Sequence, residues 1–103
     1  MIKIINLKNN KEECFKIDRS SIFGNPFIIG KDGNRDEVID KYKKYFLNRI
    51  KEDLHFRFCV KQLIDYAEDN DLVLGCWCYP KKCHGDIIKE FIERQTRIKK
   101  ELI

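Results

Sequence analysis

The run Leu72-Val73-Leu74-Gly75-Cys76-Trp77-Cys78 has no polar position, so it presents no side that water could cover. An antiparallel strand open to solvent on one face alternates between apolar and polar residues. A short run that is apolar on both faces reads instead as an interior strand of a sheet covered by helices. Extended through Tyr79 it is still far below the ~20 residues that cross a bilayer. Asp69-Asn70-Asp71 stops whatever precedes it, and Pro80 marks a turn after it. The rest of the chain has to supply strands beside this one and helices over it.

The flanking segments read that way. Ile2–Leu7 is rich in branched residues and partly alternates, which predicts a strand; Asn9-Asn10-Lys11-Glu12 is turn-like, and Cys14–Ile17 predicts a second short strand. Asn34 can cap a helix, with Glu37 three residues on completing a box-like start. Val38, Tyr42, Tyr45, Phe46 and Ile50 then recur at helical spacing. A second helix is predicted from about Lys51 to Glu68, burying Phe56, Cys59, Val60, Leu63, Ile64 and Ala67. A third starts near Cys83 or His84, buries Ile87, Ile88, Phe91 and Ile92, and continues through Ile98 towards Leu102. The order β-β-loop-α-α-β-α predicts a small single-domain α/β protein over residues 1–103: a Rossmann-like layered sheet with about three helices.

Composition narrows the function classes. Hydrophobic residues make up 43% of the 103 residues and aromatic residues 12%, which excludes wholesale disorder. The apolar part of Met1-Ile-Lys-Ile-Ile-Asn-Leu-Lys8 is too short for a secretory signal, so the expectation is a soluble protein of the cytoplasm with no membrane partner. There the five cysteines would be thiols, metal ligands or small buried groups rather than disulfides. A net charge of +4 is mild for a domain that grips duplex nucleic acid, and it suits an anionic small ligand equally well.

Chemistry concentrates in Cys76-Trp-Cys78-Tyr79-Pro80-Lys-Lys-Cys83-His84-Gly85-Asp86, where a buried strand ends, a tight loop follows and a helix begins. In α/β folds, ligands gather beyond the carboxyl ends of strands. A helix N-terminus there favours an anion or a thiolate, which singles out Cys83 as a nucleophile of lowered pKa with His84 or Asp86 as acid/base partner. The stretch Asp18–Asn34 has no period and is long for an unstructured loop, a common trait of functional segments. Arg19 and Arg35 flank it, and either guanidinium could hold a carboxylate or phosphate by paired hydrogen bonds. Phe27, Ile28 and Ile29 could instead plug the edge of the sheet. Trp77 reads as core, Tyr79 as a surface aromatic able to stack on a base, and His55 as structural. Arg94, Arg97, Lys99 and Lys100 read as a solvated helix face.

These two segments carry a resemblance. Gly24-Asn25-Pro26-Phe27, Gly30, Arg35 and Tyr42, followed by Cys76-x-Cys78-x-Pro80-x-x-Cys83-His84-Gly85-Asp86, resemble the family catalogued as domain of unknown function 4326, over roughly residues 15–92. Its members are small proteins of phages and bacteria, which implies the host cytoplasm if the chain is phage-encoded. Arg19-Ser20 looks like the arginine-containing turn of that family, although Asp18 stands where glycine is common. The strand–Cys–Cys-His–helix portion is also similar to domain of unknown function 488. Neither resemblance supplies a reaction.

The expectation is therefore a pocket for a nucleotide or nucleoside-like anion between the Arg19–Arg35 loop and the Cys78–Asp86 turn. Arg19, Ser20, Asn25, Arg35, Cys78, Tyr79 and Gly85 would bind, Cys83, His84 and Asp86 would act chemically, and the protein would process or sequester the ligand without a cofactor. The alternative is a zinc-stabilised nucleic-acid- or protein-binding module using Cys76, Cys78, Cys83 and His84. Its Cys-x-Cys and Cys-His spacings differ from the gaps usual in zinc knuckles.

Overall fold

A computed structural model describes residues 1–101, with side chains described through Ile98. The elements are β1 (Ile2–Asn6), β2 (Phe15–Lys16), α1 (Arg35–Glu52), α2 (Leu54–Asp69), β3 (Leu72–Cys76) and α3 (Gly85–Glu101). The α/β class, the element order and the three helices are as the sequence predicts. The expected continuation of α3 to Leu102, and the solvated side chains of Lys99 and Lys100, lie outside the described residues; Arg94 and Arg97 are exposed.

The three strands form a parallel sheet in the order β1-β3-β2. Ile2 pairs with Leu72 and Asn6 with Cys76 on one side, and Phe15 pairs with Leu74 on the other. All five residues of β3 are buried. Its two faces are covered differently from the expectation. Ile2, Ile4, Leu72, Leu74 and Cys76 share one core with Tyr42, Phe46, Phe56, Val60, Leu63, Ile88 and Ile92 from the three helices. Because strand residues alternate, Ile5, Val73 and Gly75 point the other way. There the connection between β1 and β2 lies across the sheet: a Cβ on Gly75 would come within 2.6 Å of Leu7 and 2.7 Å of the Cys14 sulfur. Lys3, also on that side, reaches Glu12 at 3.0 Å. A folded-back loop covers this face of β3, and the helices cover the other.

Local chemistry accounts for the boundaries. Asn34 Oδ1 accepts from the Glu37 amide at 2.9 Å while Glu37 Oε1 accepts from the Asn34 amide at 3.0 Å, the capping box expected from the sequence. The break between the first two helices falls at Asp53, later than predicted. The Asp53 amide ends α1 on the Arg49 carbonyl, and its carboxylate begins α2 by accepting from the Phe56 amide. Strand β3 stops at Cys76, two residues short of the expected end, because β1 ends opposite it. Beyond that point Asn6 Nδ2 donates to the carbonyls of Trp77 and Tyr79, at 3.3 and 2.7 Å. Trp77, expected in the core, is therefore off the sheet and 58% exposed. His55, expected to be structural, is exposed on α2 with its Nε2 3.8 Å from the Cys59 sulfur.

The 17–34 loop is anchored from within. Tyr42 is fully buried and its hydroxyl donates to the Phe23 carbonyl at 2.7 Å; burial raises its pKa well above the ordinary phenol value. Phe27 packs edge-on against Tyr45, while Ile28 and Ile29 are 43% and 49% exposed, so neither isoleucine plugs the sheet.

Leu74 is wholly enclosed at the centre of the sheet. Leu74→Ala is expected to lower stability by about 2–5 kcal/mol in urea unfolding, and Leu74→Asp to leave no soluble folded protein.

Candidate functional site

The parallel register sends the carboxyl ends of all three strands to one side of the molecule, and two of the segments that leave from there build the site. One is the 17–34 loop after β2; the other is the 77–84 loop after β3. They meet with the start of α1 around a cleft of about 170 Å³. Of the residues expected to form a site, Arg19, Asn25, Arg35, Cys78, Cys83 and His84 line this cleft; Ser20, Tyr79, Gly85 and Asp86 do not.

The two arginines do more than offer charge. Arg19 Nε donates to the Asn25 carbonyl at 3.1 Å and its Nη2 to the Phe27 carbonyl at 3.4 Å, while Asn25 Oδ1 accepts from the Phe27 amide. Arg35 Nη1 donates to the Lys82 carbonyl at 3.0 Å, tying the first turn of α1 to the opposite wall. A guanidinium carries five N–H donors, so each arginine has others for a ligand. Lys82, which sequence reasoning did not single out as a ligand group, adds a third cation to the lining; Asp18 is the one carboxylate among these residues. Asp18 accepts from the Ser20 hydroxyl and from Trp77 Nε1, and these bonds hold its pKa below the usual carboxylate range. Ser20 thus belongs to the turn. Phe27, Ile29, Val38, Ile39 and Trp77 supply apolar surface. Trp77 was hidden from sequence reasoning because the apolar run continues past the point where the strand loses its partner.

His84 is 8% exposed. Its Nε2 donates to the Ile17 carbonyl, which joins the two loops beneath the cleft, and its ring stands edge-on to Tyr42 at 5.0 Å. Burial pushes its pKa below the ordinary histidine value. The helix start expected at Cys83 or His84 comes at Gly85, and the groups before it cap the helix. The Asp86 carboxylate accepts from the Cys83 amide at 3.1 Å, and the Cys83 sulfur accepts from the Gly85 amide at 3.3 Å. The Asp86 half matches a capping box, while the sulfur takes the amide two residues on instead of three. Those two amides are engaged within the chain, so the positive charge at the cleft comes from side chains rather than from them. Gly85 sits against packed side chains, and a Cβ there would come within 2.8 Å of the Ile17 Cδ1 methyl, which would have to shift.

The thiols at the base of the cleft are Cys76 and Cys83, with their sulfurs 3.4 Å apart. The neighbouring Cys83 thiol and the backbone amides of Cys78 and Tyr79 outweigh burial and lower the pKa of Cys76. The same contact, with burial, raises the pKa of Cys83. Backbone amides around the Cys76 sulfur favour thiolate character there, beside the Cys83 that the helix-terminus argument singles out. Among the described residues no group of three or more His, Cys, Asp or Glu side chains is placed to hold a metal ion. The His84 nitrogen that faces Ile17 is turned to a carbonyl.

Two outcomes follow from this geometry. A chelator is expected to leave the melting temperature unchanged, with no stoichiometric zinc in elemental analysis. His84 is held neutral in the folded state, so its contribution is complete above pH 6.5. It is lost as the pH falls below that value, because the unfolded chain takes up the proton first. The urea midpoint of the wild type should drop across that window more steeply than that of His84→Gln. Because His84 carries a buried hydrogen bond, His84→Ala should also cost stability at neutral pH, contrary to what a purely ligand-binding role would give.

Comparison with known proteins places the chain in a family. No solved structure matches the chain. A protein of Enterobacteria phage T4, named "Uncharacterized 12.4 kDa protein in nrdA-td intergenic region", is 34% identical over 95 residues, covering 91% of this chain and 80% of its own length. The family described as "Domain of unknown function (DUF4326)" matches residues 5–94, a span that runs from the end of β1 through β2, β3 and both loops into α3. Matched over nearly its whole length, the chain belongs to that family.

Proposed function

We propose that the cleft binds a small anionic molecule with a flat or apolar body, of the nucleotide or nucleoside-phosphate class. The observation that carries this reading is the composition of the lining: Arg19, Arg35 and Lys82 against the single carboxylate of Asp18, with Phe27 and exposed Trp77 beside them. Guanidinium groups hold phosphate oxygens by paired hydrogen bonds, and an aromatic face can stack on a base. The position beyond the carboxyl ends of parallel strands, with a helical crossover between β2 and β3, supports a Rossmann-like layout in reduced form. Five free cysteines fit a reducing compartment, which for a phage-type protein is the host cytoplasm.

In this reading Arg35 and Lys82 contact the anion from opposite walls, and Arg19 keeps the 25–27 segment in place while contributing charge. The cleft then holds its ligand without help from the first amides of α3. Sequestration requires nothing further; processing would draw on the thiols at the base.

Titration calorimetry against a panel of nucleotides, followed by chromatography of the recovered ligand, tests both. Lys82→Ala and Arg35→Ala are each expected to weaken binding roughly ten- to hundredfold, the effect of losing one charged hydrogen bond of about 1.5–3 kcal/mol. Lys82→Ala, whose ion pair with Asp36 is exposed, should do so with its melting temperature nearly unchanged. Absence of binding by the wild type to every member of the panel would overturn the reading. Recovered ligand unchanged in mass would assign sequestration, and altered ligand would assign turnover.

A further inference from the structure

Cys76 and Cys83 line the cleft, as Cys78 does, and differ from the other cysteines in having their sulfurs side by side. Cys14 lies beside Gly75 on the opposite face of the sheet, Cys59 lies beside His55 on α2, and no sulfur contact places Cys78 in a pair. The two sulfurs are 3.4 Å apart, while a disulfide bond is about 2.05 Å long, so closure requires an approach of roughly 1.4 Å. The framework divides that movement unequally. Cys76 is the last residue of the central strand and is held by its ladder; Cys83 lies in the 77–84 loop, held by its bonds with Asp86 and Gly85 and by no ladder. Both side chains are nearly enclosed, at 1% and 4% exposure, and what reaches them must enter through the cleft.

We propose that Cys76 and Cys83 form a redox-active dithiol that reacts with a small hydroperoxide admitted by the cleft and closes to an intramolecular disulfide. Enclosure selects the oxidant class: a molecule of two oxygens can approach a sulfur that a bulky disulfide could not. Cys76 is the attacking group. Amides of Cys78 and Tyr79 and the Cys83 thiol converge on its sulfur, the surroundings that stabilise a thiolate. Its sulfur attacks one peroxide oxygen and the O–O bond breaks. The departing hydroxide takes up a proton to become water, leaving Cys76 as a sulfenic acid. The Cys83 sulfur then attacks the Cys76 sulfur. The S–S bond forms, the S–O bond breaks, and the hydroxyl leaves with the Cys83 proton as a second water. Two thiols are oxidised by two electrons and one hydroperoxide is reduced. The inference is independent of which anion, if any, occupies the cleft.

The test uses the full chain, reduced and freed of reductant, exposed to a small excess of hydrogen peroxide and quenched with an alkylating agent. The expected product is lighter than the reduced chain by two hydrogens and yields a peptide linking Cys76 to Cys83. It should form at least about tenfold faster than any modification of Cys14, Cys59 or Cys78. Cys83→Ser should stop at a sulfenic acid on Cys76 that dimedone captures, and Cys76→Ser should abolish the fast reaction. A linked peptide joining Cys78 instead, oxidation of all five thiols at one rate, or a disulfide that forms only in denaturant would overturn the proposal. The peptide map of the wild type decides the matter even if either variant fails to fold.

Discussion

Strand β3 is hydrogen-bonded along both edges and buried at every residue, and the rest of the molecule is disposed to satisfy it. A central parallel strand needs a neighbour on each side and cover on each face. A chain of this length meets the requirement by placing three helices on one face and folding the short connection between the outer strands over the other. The same constraint creates the cleft. Parallel pairing brings Asn6, Lys16 and Cys76 to one end, so the chain leaves every strand at the same place. Two cross-links then hold the departing segments together: Asn6 with the carbonyls of Trp77 and Tyr79, and His84 with the carbonyl of Ile17.

Much of this architecture is legible from the sequence because its signals are local. The capping pair of Asn34 and Glu37 marks the start of α1, and the periodic apolar positions of the helices fall on the core side, with Val38, Tyr42, Phe46, Phe56, Val60, Leu63, Ile88 and Ile92 all buried. The meeting of the arginine-flanked loop with the cysteine–histidine turn also follows from the residues that carry the family resemblance. Elsewhere the deciding information is long-range. Whether Trp77 belongs to β3 depends on where β1 ends, and that is written some seventy residues away, at Asn6. The break at Asp53 is a local signal that was available, an N-cap residue, but the apolar period runs smoothly across it.

The chemistry of the thiols was less legible than their location. Adjacent residues in a sequence suggest a helix terminus acting on Cys83. In space the Cys83 sulfur lies 3.4 Å from a sulfur seven positions earlier, and backbone amides at the strand end favour a thiolate on Cys76. Spacing along a chain reports which groups are near one another far better than it reports which of them will hold the proton. Asp86 illustrates the same point: its carboxylate accepts from the Cys83 amide at the start of α3.

The dual engagement of Arg19 and Arg35 has an evolutionary consequence. Each guanidinium is a wall tie and a charge at once, bonded to carbonyls of the segments that enclose the cleft. Drift at either position therefore cannot retune electrostatics while preserving shape, or shape while preserving electrostatics. Lysine would keep the charge but lose the planar fork that reaches two acceptors, and a neutral tie such as glutamine would do the reverse. Lys82 is less bound by this coupling, because the wall is tied through its carbonyl, while its ammonium group makes only an exposed ion pair with Asp36 at 3.5 Å. Selectivity among anions can change there without rebuilding the enclosure, which makes position 82 the natural place for relatives with the same scaffold to diverge in what they hold.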